Sequence, residues 1–225
     1  NDFISILKLN NQKQIIKWQI LNSRNIQNLI LNYIGFTPKT KAELKEAIKL
    51  WYSNKKEAIK KYGDINTWNV HNITDMSYLF SNAPVTPCDC PFGGPDEILF
   101  NPDISSWDVS NVTNMSYMFG SKEMIVFFNK DISKWDVSKV TDMSNMFQNS
   151  NWTGDISEWD VSSVTNFGCT FCNNNTFNSD LSSWDVSSVT SMGGMFYRAS
   201  SFNGDLSSWD VSSVISMHGM FTYAS

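Results

Sequence analysis

A heptapeptide, Asp-(Ile/Leu)-x-x-Trp-(Asp/Asn)-Val, recurs six times from residue 64 onward. It appears first as Asp64-Ile65-Asn66-Thr67-Trp68-Asn69-Val70 and then around Trp107, Trp135, Trp159, Trp184 and Trp209. A Phe follows each Trp at twelve residues: Phe80, Phe119, Phe147, Phe171, Phe196 and Phe221. The steps from Trp to Trp are 39, 28, 24, 25 and 25 residues. A unit of this size cannot bury its own apolar side, so a period near 25 forces neighbouring units to stack into one shared core. The sequence therefore predicts a repeat solenoid with an extended surface rather than an enzyme built around one pocket.

Within each unit a second pattern, Val/Ile-Thr-x-Met, recurs at Ile73-Thr74-Asp75-Met76, Val112-Thr113-Asn114-Met115, Val140-Thr141-Asp142-Met143 and Val189-Thr190-Ser191-Met192. Its alternation predicts a short strand with Val and Met inward and the polar residues outward. The following segment, such as Ser144-Asn145-Met146-Phe147, suits one helical turn that places its Phe in the core. A second extended piece, such as Phe202 to Leu206, would close the coil. Burying one Trp removes roughly 150–250 Å² from water, an upper bound of about 4–6 kcal/mol per coil. The Trp and Phe series is therefore read as a structural ladder and not as a cofactor box.

The array is preceded by segments of different character. Residues 1–36 are rich in Ile, Leu and Asn, and clusters such as Ile26, Leu29, Ile30 and Tyr33 predict short helices, ended at Gly35, that belong to a preceding domain. Residues 37–63 read as a helical cap. Thr40 and Glu43 form a capping box, and Leu44, Ala47, Ile48 and Trp51 make an apolar stripe. Ser53 is placed to cap a second helix carrying Ala58, Ile59 and Tyr62, with Gly63 as its stop. Such a pair would cover the open end of a stacked core. The chain starts at Asn1 and breaks off at Ala224-Ser225 in mid-repeat, so both ends read as cuts, with the array continuing past 225.

Charge divides along the same boundary. Residues 1–63 carry a net +8 and residues 64–225 a net −13. An acidic array argues against nucleic acid, whose phosphates demand Lys and Arg. No apolar run reaches the length of about 18 residues that a transmembrane helix requires.

The unit Phe202-Asn-Gly-Asp-Leu-Ser-Ser-Trp-Asp-Val-Ser-Ser-Val-Ile-Ser-Met-His-Gly-Met-Phe221 resembles the BspA-like leucine-rich repeat, also called the mycoplasma lipoprotein-type repeat. The resemblance spans residues 64–225. Thr40 to Tyr62 also resembles the helical piece that precedes such arrays in proteins of protists, algae and large DNA viruses. The resemblance implies a right-handed leucine-rich-repeat-like β-solenoid, a surface or adhesion role, and no catalytic residues. This chain departs from the pattern in places. Fourteen extra residues lie between the first two coils, around Pro84 to Pro95, and three more near Lys122-Glu123-Met124. Phe167 stands where other coils have Met, and Ile215 where they have Thr. Insertions on one face of a solenoid often belong to its binding surface.

Few side chains point to chemistry. Cys169-x-x-Cys172 has zinc-knuckle or redox spacing, but Cys88 and Cys90 lie three coils away, so the four thiols read first as inert or locally paired, then as a disulfide clip or metal ligands. Two Asp columns, one from Asp64 to Asp205 and one from Asn69 to Asp210, would repel along the stack unless capped by backbone N–H groups or bridged by calcium. Asn69 favours capping, since Asn caps equally well. The sequons at Asn72, Asn111, Asn114, Asn151 and Asn174 follow in part from the repeat grammar. His71 and His218 are far apart and lack triad or metal company, and no cofactor or metal is expected. The expected function is a non-enzymatic protein-interaction or adhesion module on a cell or virion surface, with an unidentified protein or glycan partner. Binding would use the outward residues Thr74, Asp75, Thr113, Asn114, Thr141, Asp142, Thr165 and Thr190, together with Phe92 of the inserted loop. The alternative is an architectural component of a virion or other large assembly, with the array as a spacer.

Overall fold

The computed structural model describes residues 35–81, 101–123 and 125–224. The expected helices within 1–34, the inserted loop with Phe92, and Cys88 and Cys90 lie outside the described residues.

Helix α1 (Lys41–Ser53) starts at Thr40, whose hydroxyl accepts from the Glu43 N–H at 3.2 Å. The Glu43 carboxylate reaches back to the Lys39 N–H at 2.7 Å, one residue further than a capping box needs. Leu44, Ala47, Ile48 and Trp51 form its buried face. Helix α2 (Lys55–Tyr62) follows after a single residue. Its cap is Asn54, which accepts from the Glu57 N–H at 3.1 Å, and not Ser53. Ser53 ends α1 instead, its hydroxyl turned back onto the Lys49 carbonyl. Asn is among the strongest N-capping residues, and the chain reverses at that position. Gly63, at φ 76°, closes α2.

From Asp64 the repeats stack in register, coil on coil. From the second coil on, the Nε1 of the repeat Trp donates to a carbonyl of the preceding coil: Trp107 to Ile65, Trp135 to Ile104, Trp159 to Ile132, Trp184 to Ile156 and Trp209 to Leu181, at 2.8–3.3 Å. The Phe rings form a continuous pile, with centroids 5.4–5.7 Å apart from Phe80 through Phe119, Phe147, Phe171 and Phe196 to Phe221. A second aromatic column lies against it. Phe128, Trp152, Phe177 and Phe202 each stack on a Phe of the first pile at 3.9–4.3 Å. Gly154 leaves the space that the Trp152 indole fills, since a Cβ there would come within 2.3 Å of the ring.

The expectation of a right-handed leucine-rich-repeat-like β-solenoid with short strands and helical turns is overturned. Among the described residues there is no strand, the helices are confined to the segment before the array and the short 3-10 turn Ile65–Thr67, and the fold is neither a β-solenoid nor leucine-rich-repeat-like. Pairing along the Val-Thr-x-Met segments shrinks to one residue per coil, a line of isolated parallel bridges from Asp75 through Asn114, Asp142, Asn166 and Ser191 to Ser216. The reason is local. Three residues past each bridge the chain takes a positive φ, at Tyr78, Tyr117, Asn145, Cys169, Gly194 and Gly219. A left-handed residue so close to the bridge folds the backbone into successive turns and ends the extension. Val-x-x-Met alternation satisfies the inward–outward requirement of such a coil as well as it satisfies a strand. The turns still bond across the stack: the N–H groups of Met143, Asn145, Phe147 and Asn149 donate to Asn166, Gly168, Thr170 and Cys172 of the next coil.

The helical pair packs on the first coil. Trp68 is met edge-on by Trp51 at 6.0 Å, by Phe36 at 5.2 Å and by Tyr62 at 6.0 Å. Lys41 bonds both the Asp75 carboxylate at 2.9 Å and the Ser77 hydroxyl. Among the described residues no helix is long and apolar enough to cross a membrane.

Candidate functional site

The stack brings the threonines of the outward face together. Thr74, Thr113, Thr141, Thr165 and Thr190 are all exposed and stand in one column. Four of the five hydroxyls are spent as donors within the stack. Thr113, Thr141, Thr165 and Thr190 each donate Oγ1–H to the carbonyl of the preceding Thr at 3.1–3.2 Å. What this column offers a partner is therefore hydroxyl acceptor capacity rather than donors.

The neighbouring column is committed more deeply. Asp75, Asn114, Asp142 and Asn166 are the bridge residues, half-buried, and each side chain accepts the N–H two residues ahead at 2.8–2.9 Å. This is the Asx-turn bond, which holds the chain as it leaves the bridge. Asp75 is further tied to Lys41. Burial alone would raise the Asp75 pKa, but the bonds from Lys41 and Ser77 outweigh it and hold it below the ordinary value.

The two acidic columns have the same construction. Asp103, Asp131, Asp155, Asp180 and Asp205 accept the N–H two residues on, as do Asp108, Asp136, Asp160, Asp185 and Asp210. Asn69 accepts from the His71 N–H in the same way. The serine hydroxyl lowers the pKa of Asp103, Asp108, Asp131, Asp136 and Asp185, while the serine backbone N–H leads at Asp155, Asp180, Asp205 and Asp210. Capping answers the question of what offsets the repulsion between like charges one coil apart. His71 Nδ1 lies 2.7 Å from Asp108, a contact between coils on an exposed face.

A stacked pair of partly exposed tyrosines was not apparent in the repeat grammar. Tyr78 and Tyr117, ten residues after their Trp, stack at 4.6 Å with an interplanar angle of 14°. Lys122 lies over the Tyr117 ring at 5.5 Å. Tyr78 is 43% exposed, and Ile125 and Phe127 are exposed nearby in sequence. Both tyrosines have φ near 55°. A bulky residue in the left-handed region costs about 1–2 kcal/mol relative to Gly, and Gly194 and Gly219 hold the same place in the fifth and sixth coils. The signal was present in the sequence as a column reading Tyr, Tyr, Asn, Cys, Gly, Gly. Such a mixture at one coil position marks a left-handed residue whose side chain the core does not dictate.

Of the sequons, Asn174 is structural. It is fully buried, donates to the Ser150 hydroxyl and the Trp152 carbonyl, and accepts from Thr176 and Phe177. Asn72 and Asn151 are exposed.

The model of a family described as "Mycoplasma protein of unknown function, DUF285" matches residues 5–89, 49–152 and 122–225, so that overlapping matches run through the helical segment and all six coils. The chain belongs to this family. No curated protein and no solved structure matches it.

Proposed function

We propose that this DUF285-family chain is a non-enzymatic interaction module of the adhesion type, displayed on a cell or virion surface, that holds a protein or glycan partner on its outward Thr column and the Tyr78–Tyr117 pair. The observation that carries this reading is the pair itself. Two large rings sit at a backbone position where the fifth and sixth coils use Gly, and they are left partly in solvent. Every coil needs a left-handed residue at this position but none needs an exposed ring there, and that surplus supports a binding role. Stacked tyrosines present a rigid amphipathic platform at low entropic cost, suited to the apolar faces of sugars or to a peptide side chain. Lys122 adds a cation at its edge. The likeness of the repeat to BspA-like surface-protein repeats supports the adhesion assignment.

A second reading, an architectural spacer in a virion or other large assembly, is favoured by a different observation. The Asp carboxylates and Thr hydroxyl donors are engaged within the stack, as suits a rod that need hold only its own length. One experiment separates the two. Tyr78→Gly and Tyr117→Gly remove both rings while keeping the backbone relaxed, so thermal stability should change little. Immobilised protein and its double variant are then compared on a glycan array and against surface-protein extracts. A partner bound by the parent and lost in a still-folded variant supports the module. Equal binding by both moves the site elsewhere, and no binding by either leaves the spacer as the better account.

A further inference from the structure

The fourth coil differs from the others in carrying two thiols on one turn. The Cys172 N–H donates to the Cys169 carbonyl at 3.1 Å, closing a four-residue turn. Such a turn brings its first and last Cα within about 7 Å, and disulfides span roughly 4.4–6.8 Å. The two thiols face each other closely enough that each is the leading influence on the other's ionisation. Both residues are also pinned by the neighbouring coils: Cys169 N–H donates to Gly193 at 2.9 Å, and Asn149 N–H donates to Cys172 at 2.9 Å. Space is provided for the outer sulfur by Gly194, where a Cβ would come within 2.9 Å of Cys169 Sγ. The two sites are unequal. Cys169 stands half-buried on the outward column that holds Tyr78 and Tyr117, whereas Cys172 is 6% exposed, with Arg198 of the next coil as its nearest charge of consequence.

We propose that Cys169 and Cys172 form a reversible dithiol–disulfide couple, with Cys169 as the attacking thiol and Cys172 as the resolving one, oxidised by low-molecular-weight disulfides. In the first step the Cys169 thiolate attacks one sulfur of R–S–S–R, forming a mixed disulfide and releasing one R–S⁻. Cys172 then gives up its proton and attacks Cys169 Sγ, which forms the protein disulfide and releases the second R–S⁻. Two protein thiols are oxidised and one small disulfide is reduced to two thiols. The asymmetry of the pair fits this division of labour. The hydrogen bond from Cys172 lowers the Cys169 pKa to about 7, while that same bond, together with burial, pushes Cys172 far up. Cys169 is therefore the more readily ionised of the two, and a low-pKa, accessible thiol beside a resolving partner is the arrangement of a redox site.

The test uses the 225-residue chain with Cys88→Ser and Cys90→Ser, so that only this pair can react. The reduced protein is equilibrated with mixtures of reduced and oxidised glutathione, free thiols are trapped by alkylation, and the product is mapped by mass spectrometry. An intramolecular Cys169–Cys172 disulfide is expected, formed with an equilibrium constant at least about tenfold larger in the folded chain than in urea. With Cys172→Ser the reaction should stop at a glutathione adduct on Cys169. With Cys169→Ser it should not begin, and Cys169 should be alkylated at least about tenfold faster than Cys172 in the reduced parent. Circular dichroism establishes that each variant is folded. Two free thiols in the folded protein under conditions that oxidise the urea-unfolded chain would overturn the proposal, as would equal alkylation rates.

Discussion

Within the described residues the first and the sixth coil are covered differently. At the first coil, Trp68 is 2% exposed because Trp51 of α1, Tyr62 of α2 and Phe36 ahead of both helices pack against it. At the sixth coil nothing among the described residues plays that part. Phe221 stacks on Phe196 with one face and is 50% exposed, and Ile215 is 87% exposed. The same repeat is thus well packed or bare depending only on what stands next to it. The lesson is that a coil of this kind has two apolar faces and can bury only the one its neighbour supplies. A helix with an i, i+3, i+4, i+7 stripe substitutes for a coil as that neighbour.

The largest expected effect comes from breaking the covered end. Trp51→Ala should cost about 3–5 kcal/mol, as for large core aromatics, because it uncovers the Trp68 indole as well as removing its own. Phe221→Ala, the matching truncation at the bare end, should cost under about 1 kcal/mol, since half its surface is already wet. Urea unfolding of the two variants measures the contrast directly. Equal losses would mean that the helices are not what distinguishes the ends.

Acid should act on both ends alike, because the capped carboxylates run through every coil from Asp103 to Asp210. The folded pKa values of Asp103, Asp108, Asp131, Asp136, Asp155, Asp180, Asp185, Asp205 and Asp210 lie below the ordinary one. The unfolded chain therefore binds more protons than the folded one as pH falls through about 4. The stability from these caps is present above the unfolded pKa and is lost as pH drops through the lower folded values. The melting temperature should be level from pH 7 to about 5 and fall below 4, with Trp51→Ala shifting the whole curve downward without changing its shape. A melting temperature that rises below pH 4 would show that repulsion between stacked carboxylates outweighs the capping bonds.

How much of this was legible in the sequence depended on which interactions are periodic. The Trp and Phe series and the cap helices could be read because burial repeats at a fixed spacing. The short strands could not, because alternation of Val and Met reports which side chains point inward and not how the backbone travels between them. The decisive residues were Tyr78, Tyr117, Asn145 and Cys169, which are left-handed without being Gly. The glycines at 194 and 219 were the only hint. The Asx caps were anticipated from Asn69, whereas the use of Thr hydroxyls as stitches between coils was not, since a carbonyl on another coil leaves no mark in sequence. The partner of each indole Nε1 was hidden for the same reason.

Those indole bonds give a sharper comparison within the core. Trp159 donates to the Ile132 carbonyl, but the Nε1 of the fully buried Trp152 has no hydrogen-bond partner among the described residues. Three other coils place Phe128, Phe177 and Phe202 at the Trp152 position. Trp159→Phe should therefore cost about 2–4 kcal/mol, from lost volume and an orphaned carbonyl. Trp152→Phe should stay within about 1 kcal/mol of the parent, because relief of a buried unpaired N–H offsets the smaller ring. A cost for Trp152→Phe as large as for Trp159→Phe would indicate that this nitrogen is satisfied in solution by water.

The smallest effect returns to the bare end. Ile215 occupies the column held elsewhere by Thr, and its N–H already donates to the Thr190 carbonyl at 2.8 Å. Ile215→Thr would add the Oγ1 bond that Thr190 makes to Thr165 and would remove an apolar side chain from water. An exposed hydrogen bond of this type contributes about 0.5 kcal/mol, and because the Ile side chain is bare its loss takes no burial with it. The urea midpoint should rise slightly and be independent of protein concentration. A drop of more than about 1 kcal/mol would mean that Ile215 is covered in solution, and a midpoint that climbs with protein concentration in the parent but not the variant would identify the cover as another copy of the chain.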